Sequence, residues 1–206
     1  MSKISLKPAL SGTATFTIEA PATNTDRIFE LPDEAGKILT DVGVPTSAMP
    51  AGSVIQVVNS VLTTSMTWTG TTAIQTILSA SITPSSASNK ILVQCHVQAA
   101  AQNNMTNLLQ LTMDRSGTKI AKVTTGGSTA AAEAWAAYGG PDYAASGRLT
   151  MFYSLNFLDA PATTSSRTYT LGGKLDQGTN TAFIGRWSLN NDAACVTTLT
   201  LMEIAA

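Results

Sequence analysis

Lys90-Ile91-Leu92-Val93-Gln94-Cys95-His96-Val97-Gln98 decides the fold class. Ile91, Val93, Cys95 and Val97 fall on one face of an extended chain, and Gln94, His96 and Gln98 on the other. A period of two marks a strand with one buried face. The alternation recurs on both sides of this stretch. In 73–82 the apolar face is Ile74, Leu78, Ala80 and Ile82. In 148–158 it is Leu149, Met151, Tyr153, Leu155 and Phe157, with Thr150, Ser154 and Asn156 opposite. Tyr169, Leu171 and Leu175 form it in 167–175, and Phe183, Trp187 and Leu189 in 182–189.

Further strands are expected over 54–62, 107–114, 118–124 and 196–204. The first and last carry apolar residues on both faces: Val54, Ile55, Val57 and Val58, then Leu199, Leu201, Met202 and Ile204. Such strands are central, or covered by a neighbouring subunit. Turn residues separate the runs. Pro84 to Asn89 reads as a loop, and Asp114-Arg115-Ser116-Gly117 as a tight connection in which Gly supplies a positive φ. Thr129 to Tyr138 is alanine-rich and predicts a short helix capped by Thr129 and Gly139, or else a strand buried on both sides. About nine short strands with polar connections predict a β-sandwich or jelly-roll knob over 53–206.

Composition agrees with an all-β chain. Charged residues make up 12 % of the 206 residues, about half of the roughly 25 % typical of soluble domains. The surface must be covered by other groups, and 31 Thr and 19 Ser supply them. Thr is β-branched and suits a half-exposed pleated face. The net charge of −1 offers no basic stripe for nucleic acid. No apolar run approaches a membrane span, and the first residues lack the apolar region of a signal peptide. Synthesis in the cytoplasm is therefore expected, with no membrane insertion. Cys95 and Cys195 form no disulfide framework, and both are expected to be buried free thiols.

Residues 1–52 read as a separate extended arm. Ala14, Phe16, Ile18 and Ala20 alternate with Thr13, Thr15, Thr17 and Glu19 until Pro21. Two shorter runs follow, Arg27 to Leu31 and Lys37 to Thr40, and a Pro-containing linker from Val44 to Gly52. So few large apolar groups cannot offset the ordering entropy of the arm alone. The arm must pack on the main domain or intertwine with copies of itself, Phe16, Ile18, Ile28, Leu31, Ile38 and Leu39 then facing a shared axis.

The arm sequence Ser11-Gly12-Thr13-Ala14-Thr15-Phe16-Thr17-Ile18-Glu19-Ala20-Pro21, with Asn24 to Arg27 and Leu31 to Thr40, resembles a motif of bacteriophage tail-fibre and other virion appendage proteins. Gly52 to Val58, Leu78 to Ser86, Ser88 to Val93 and Thr198 to Ile204 look like the β-sandwich head of such proteins. The resemblance weakens between about 125 and 147. It implies a homotrimer on the outside of a virion. Its partners would be its own copies, other tail or capsid proteins, and a host surface glycan or protein. Only about eleven residues precede the motif, so the arm is expected to do most of the attaching. That raises a capsid head fibre or decoration protein beside the tail fibre or short spike.

Catalytic chemistry finds little support in the sequence. His96 is the single histidine, and there is no G-x-S-x-G elbow. One His and two distant Cys do not make a zinc site. A depolymerase would need two facing carboxylates, whereas Asp33, Glu34, Asp114, Asp142 and Asp192 sit in expected turns. Gly126-Gly127 and Gly172-Gly173 lack the rest of a phosphate-binding signature. No enzyme activity and no cofactor is expected. Trp135, Tyr138 and Tyr143 cluster in the irregular region, as a receptor-facing patch or as packing against the body or a neighbouring subunit.

Overall fold

The computed structural model describes residues 49–70, 72–102, 108–122, 134–139, 150–175, 181–186 and 194–206. They fall within the unit Val42–Ala206. Eleven strands are described: β1 Val54–Leu62, β2 Met66–Thr69, β3 Gln75–Ile82, β4 Lys90–Gln102, β5 Leu108–Arg115, β6 Thr118–Ile120, β7 Ala136–Gly139, β8 Thr150–Asp159, β9 Arg167–Leu175, β10 Thr181–Ile184 and β11 Thr197–Ile204. All pair antiparallel.

The strands form two sheets. In the first, β4 is long enough to take two partners end to end on one edge. Lys90 to His96 pairs with β11, and Ala99 to Gln102 with β10. β8 lies along the other edge of β4 from Ile91 to Ala100. β1 pairs with β11, and β2 with β10. The sheet is thus four strands wide, with β8 at one edge and β1 and β2 at the other. The second sheet runs β3–β9–β5, with β6 and β7 end to end on the far edge of β5.

The two sheets share one apolar core. Ile91, Val93, Cys95, Val97, Leu199 and Leu201 come from the first sheet, and Leu109, Leu111, Met113, Tyr169, Leu171 and Leu175 from the second. Each such side chain contributes about 1.5–3 kcal/mol by leaving water. Alternation places them: Ile91, Val93, Cys95 and Val97 are buried in β4, while His96 is exposed on the outer face.

Several sequence expectations meet the structure directly. β1 and β9 have the predicted bounds. The connection after β5 is a two-residue turn in which Ser116 and Gly117 both have positive φ, 47° and 92°. These angles match the type I′ hairpin twist, and the Asp114 carboxylate accepts the Gly117 N–H at 2.7 Å.

Other expectations are corrected. A bulge between Thr76 and Leu78 resets the face of β3, so Ile77 is buried and Ile74 exposed. An extra residue on one strand shifts all later side chains. In β10 the core takes Ala182 and Ile184 rather than Phe183. Phe183 is buried on the other face beneath the Arg186 guanidinium, 5.1 Å from the ring centre; Trp187 and Leu189 lie outside the described residues. The predicted helix is overturned over its last turn. Ala136–Gly139 is a strand on β5, because ladder pairing outweighs the small helix preference of alanine. Residues 129–133 lie outside the described residues. Cys95 is buried as expected, but Cys195 is exposed, and both are free thiols. Burial alone pushes the Cys95 pKa up to about 12.

Candidate interaction surfaces

At the corner where Gly52 and Ser53 meet the end of β11, one carboxylate gathers several elements. Glu203 of β11 is fully buried. One oxygen accepts hydrogen bonds from the Ser85 N–H at 2.7 Å, the Ser85 hydroxyl at 2.8 Å and the Asn89 amide at 2.6 Å. The other accepts from the Gln56 amide of β1. Burial by itself would raise the Glu203 pKa; donation from Asn89, Gln56 and Ser85 outweighs it and holds the carboxyl below its ordinary range. Backbone bonds from Gly52 N–H to Ala205 O and from Ala205 N–H to Ser53 O, both 2.9 Å, fasten the same corner. A recess of about 250 Å³ opens here, lined by Met49, Ser85, Ser86, Ser88, Asn89, Ala205 and Ala206. Its walls are hydroxyls, one amide and small apolar groups. Because neighbours already engage both Glu203 oxygens, the carboxylate acts as an anchor for the 84–89 loop.

A second polar cluster ties the sheets together. Arg115 of β5 donates to both oxygens of Asp159 of β8 at 2.8 Å. The buried phenol of Tyr169 in β9 donates to the same carboxylate at 2.7 Å. Burial, and then the hydrogen bond to Asp159 and that group's charge, push the phenol pKa well above its usual value. Among the described residues there are three carboxylates, and each has such a role: Asp114 holds the hairpin turn and pairs with Lys119 at 3.2 Å. No group of three or more His, Cys, Asp or Glu among the described residues could hold a metal ion.

The outer face of the first sheet is organised in rows across all four strands. Residues opposite one another in a ladder project to the same side. Val57, Met202, Leu92 and Leu158 form an apolar row. The next row is Asn59, Thr200, Gln94 and Asn156, internally bonded from Thr200 to Asn59 and from Gln94 to Asn156, each at 3.0 Å. A third row is Val61, Thr198, His96 and Ser154. None of the twelve is Asp, Glu, Lys or Arg. Val57 is 56 % and Leu158 49 % exposed, and Phe152, one row further along β8, is 72 % exposed. Among the described strands β11 is interior to the sheet but β1 is at its edge, so the outer valines of β1 are not covered by a central position.

The outer face of the second sheet differs in chemistry. Ser81 pairs with Thr168 at 2.8 Å and Ser79 with Thr170 at 3.1 Å, and Asp114 and Lys119 continue the latter row. The hydroxyls and charges of these two rows suit contact with water, whereas Gln110 and Thr112, further along the same face of β5, are buried.

Of the aromatic patch, Trp135 is half-buried and meets Tyr153 edge to face, ring centres 6.4 Å apart. Tyr138 lies in β7 opposite Leu109. Tyr143 lies outside the described residues, as do all the arm positions, Phe16, Ile18, Ile28, Leu31, Ile38 and Leu39. Sequence reading missed the row order of the outer face, since it requires the register between strands more than a hundred residues apart.

The chain matches no protein-family model, and no curated protein shows a significant sequence match.

Proposed function

We propose that the chain is a structural protein of a bacteriophage virion: a homotrimer with a jelly-roll knob, attached through residues 1–52 as a tail fibre or short spike. The observation that carries this reading is the three-row stretch on the outer face of the first sheet, twelve side chains with no Asp, Glu, Lys or Arg among them, a surface suited to assembly. Strand order supports the jelly-roll part. When end-to-end strands are counted as one, the described residues form eight, arranged 1-8-3-6 in one sheet and 2-7-4-5 in the other. Interleaving of early and late strands is expected of two Greek keys wound together. The arm resemblance supports the virion part. On this reading the knob is the part that meets a host glycan or protein. The structural engagement of Asp114, Asp159 and Glu203 fits a binding protein better than a depolymerase.

Cryo-electron microscopy of the intact particle tests the proposal. Density for this chain is expected at the tail. Density on the shell would establish the head-fibre or decoration reading instead, and its absence from purified particles would overturn both. A chain lacking residues 1–52 should stay soluble but fail to join the particle.

A further inference from the structure

We infer that the outer face of the β8–β4–β11–β1 sheet is the surface on which a second copy of this chain docks. The inference rests on the assembly reading above and assigns its contact surface. Three observations choose this face and this occupant.

The first is the apolar row. Val57, Met202, Leu92 and Leu158 run across the whole sheet, and solvent-facing strands do not normally align such side chains. The second is the state of the neighbouring polar row. Its amides and hydroxyls are already bonded in pairs, so covering them leaves fewer unmet hydrogen bonds. The third is charge. With none of the twelve side chains in Asp, Glu, Lys or Arg, the face meets its own copy without like-charge repulsion, and a charged partner would gain nothing from it. The second sheet also pairs its outer hydroxyls, but its row of Ser79, Thr170, Asp114 and Lys119 carries charge and no apolar side chain.

Strands about 4.8 Å apart and rows about 6.8 Å apart give the three rows roughly 400 Å² in plan. This is about half of the ~800 Å² of accessible surface that a stable interface takes from each partner, and the exposed side chains of Val54 and Phe152 extend the apolar contact beyond the rows at opposite ends.

The test is sedimentation velocity on the full chain and on V57R, L158R and the double variant, with S79R on the second sheet as control. Both replaced side chains are half-exposed, and far-ultraviolet circular dichroism with cooperative thermal unfolding confirms that each variant folds. The wild-type and S79R chains should sediment as one oligomer. The double variant should sediment as a monomer at the same concentration, its association weakened on the order of 100-fold or more by the buried unpaired charges. An oligomeric double variant would overturn the assigned face while leaving the assembly reading intact. A monomeric wild-type chain would overturn both. A double variant that keeps its oligomer but no longer binds host surface would assign the face to a foreign partner, and so overturn the inference.

Discussion

At the residue scale, Glu203 is the side chain whose charge state the body depends on most. A buried carboxylate is costly unless hydrogen-bonded, and here Gln56, Ser85 and Asn89 supply the donors. Its folded-state pKa lies below the ordinary value, so at acid pH the unfolded chain holds the proton more readily. Stability from this group is therefore present above the unfolded carboxyl pKa of about 4.3, and is lost as pH falls through the lower folded value. Thermal unfolding between neutral and acid pH should show a falling midpoint in the wild type. In E203Q one acceptor oxygen becomes a donor facing other donors. The variant should lose about 1–3 kcal/mol at neutral pH and show a shallower acid limb. An equal acid slope in both chains would show that Glu203 does not carry the dependence.

At the element scale, β9 shows what sequence reading could and could not deliver. Its bounds followed from the alternation of Tyr169, Leu171 and Leu175, since burial on one face leaves a direct trace in residue type. The meaning of Gly173 did not, because it depends on the opposite sheet. A Cβ on Gly173 would lie 2.9 Å from the Trp68 ring of β2 and 3.2 Å from Ile77. The glycine makes room for an indole wedged between the sheets. G173A should therefore destabilise the body by about 1–3 kcal/mol through overpacking, read as a lower midpoint in urea with an unchanged slope. A neutral result would mean that Trp68 moves aside freely. β2 itself escaped the sequence reading because Met66–Thr69 is too short for alternation to stand out. The bulge in β3 was invisible for a related reason: residue types mark a face, whereas the bulge that moves it belongs to the pairing with β9. The apolar row of the outer face was legible only in fragments. Val57 and Met202 stood out as apolar on the second face of their strands, but Leu92 and Leu158 joined them only through register.

At the scale of the whole molecule, the first and last strands are neighbours. β1 and β11 pair from Val54 opposite Ile204 to Leu62 opposite Thr197, and β11 also borders β4 from Lys90 to His96. The closing strand thus joins the outer edge of the first sheet to its centre, and carries Glu203 into the corner that fastens the 84–89 loop. None of these contacts can form until the chain has closed on itself across more than a hundred residues, at an entropy cost that local contacts do not repay in advance. Folding should accordingly be slow for the size of the body, in the range of milliseconds to seconds expected for non-local β topologies, as read by Trp fluorescence after dilution from denaturant. A chain ending at Val196 keeps most of its residues but loses Leu199 and Leu201 from the core, the partner of β1 and the Glu203 anchor together. It should show no cooperative unfolding transition. If that shortened chain unfolded with the wild-type midpoint, β11 would be an accessory strand, and the rows it links across the outer face could not act as one surface.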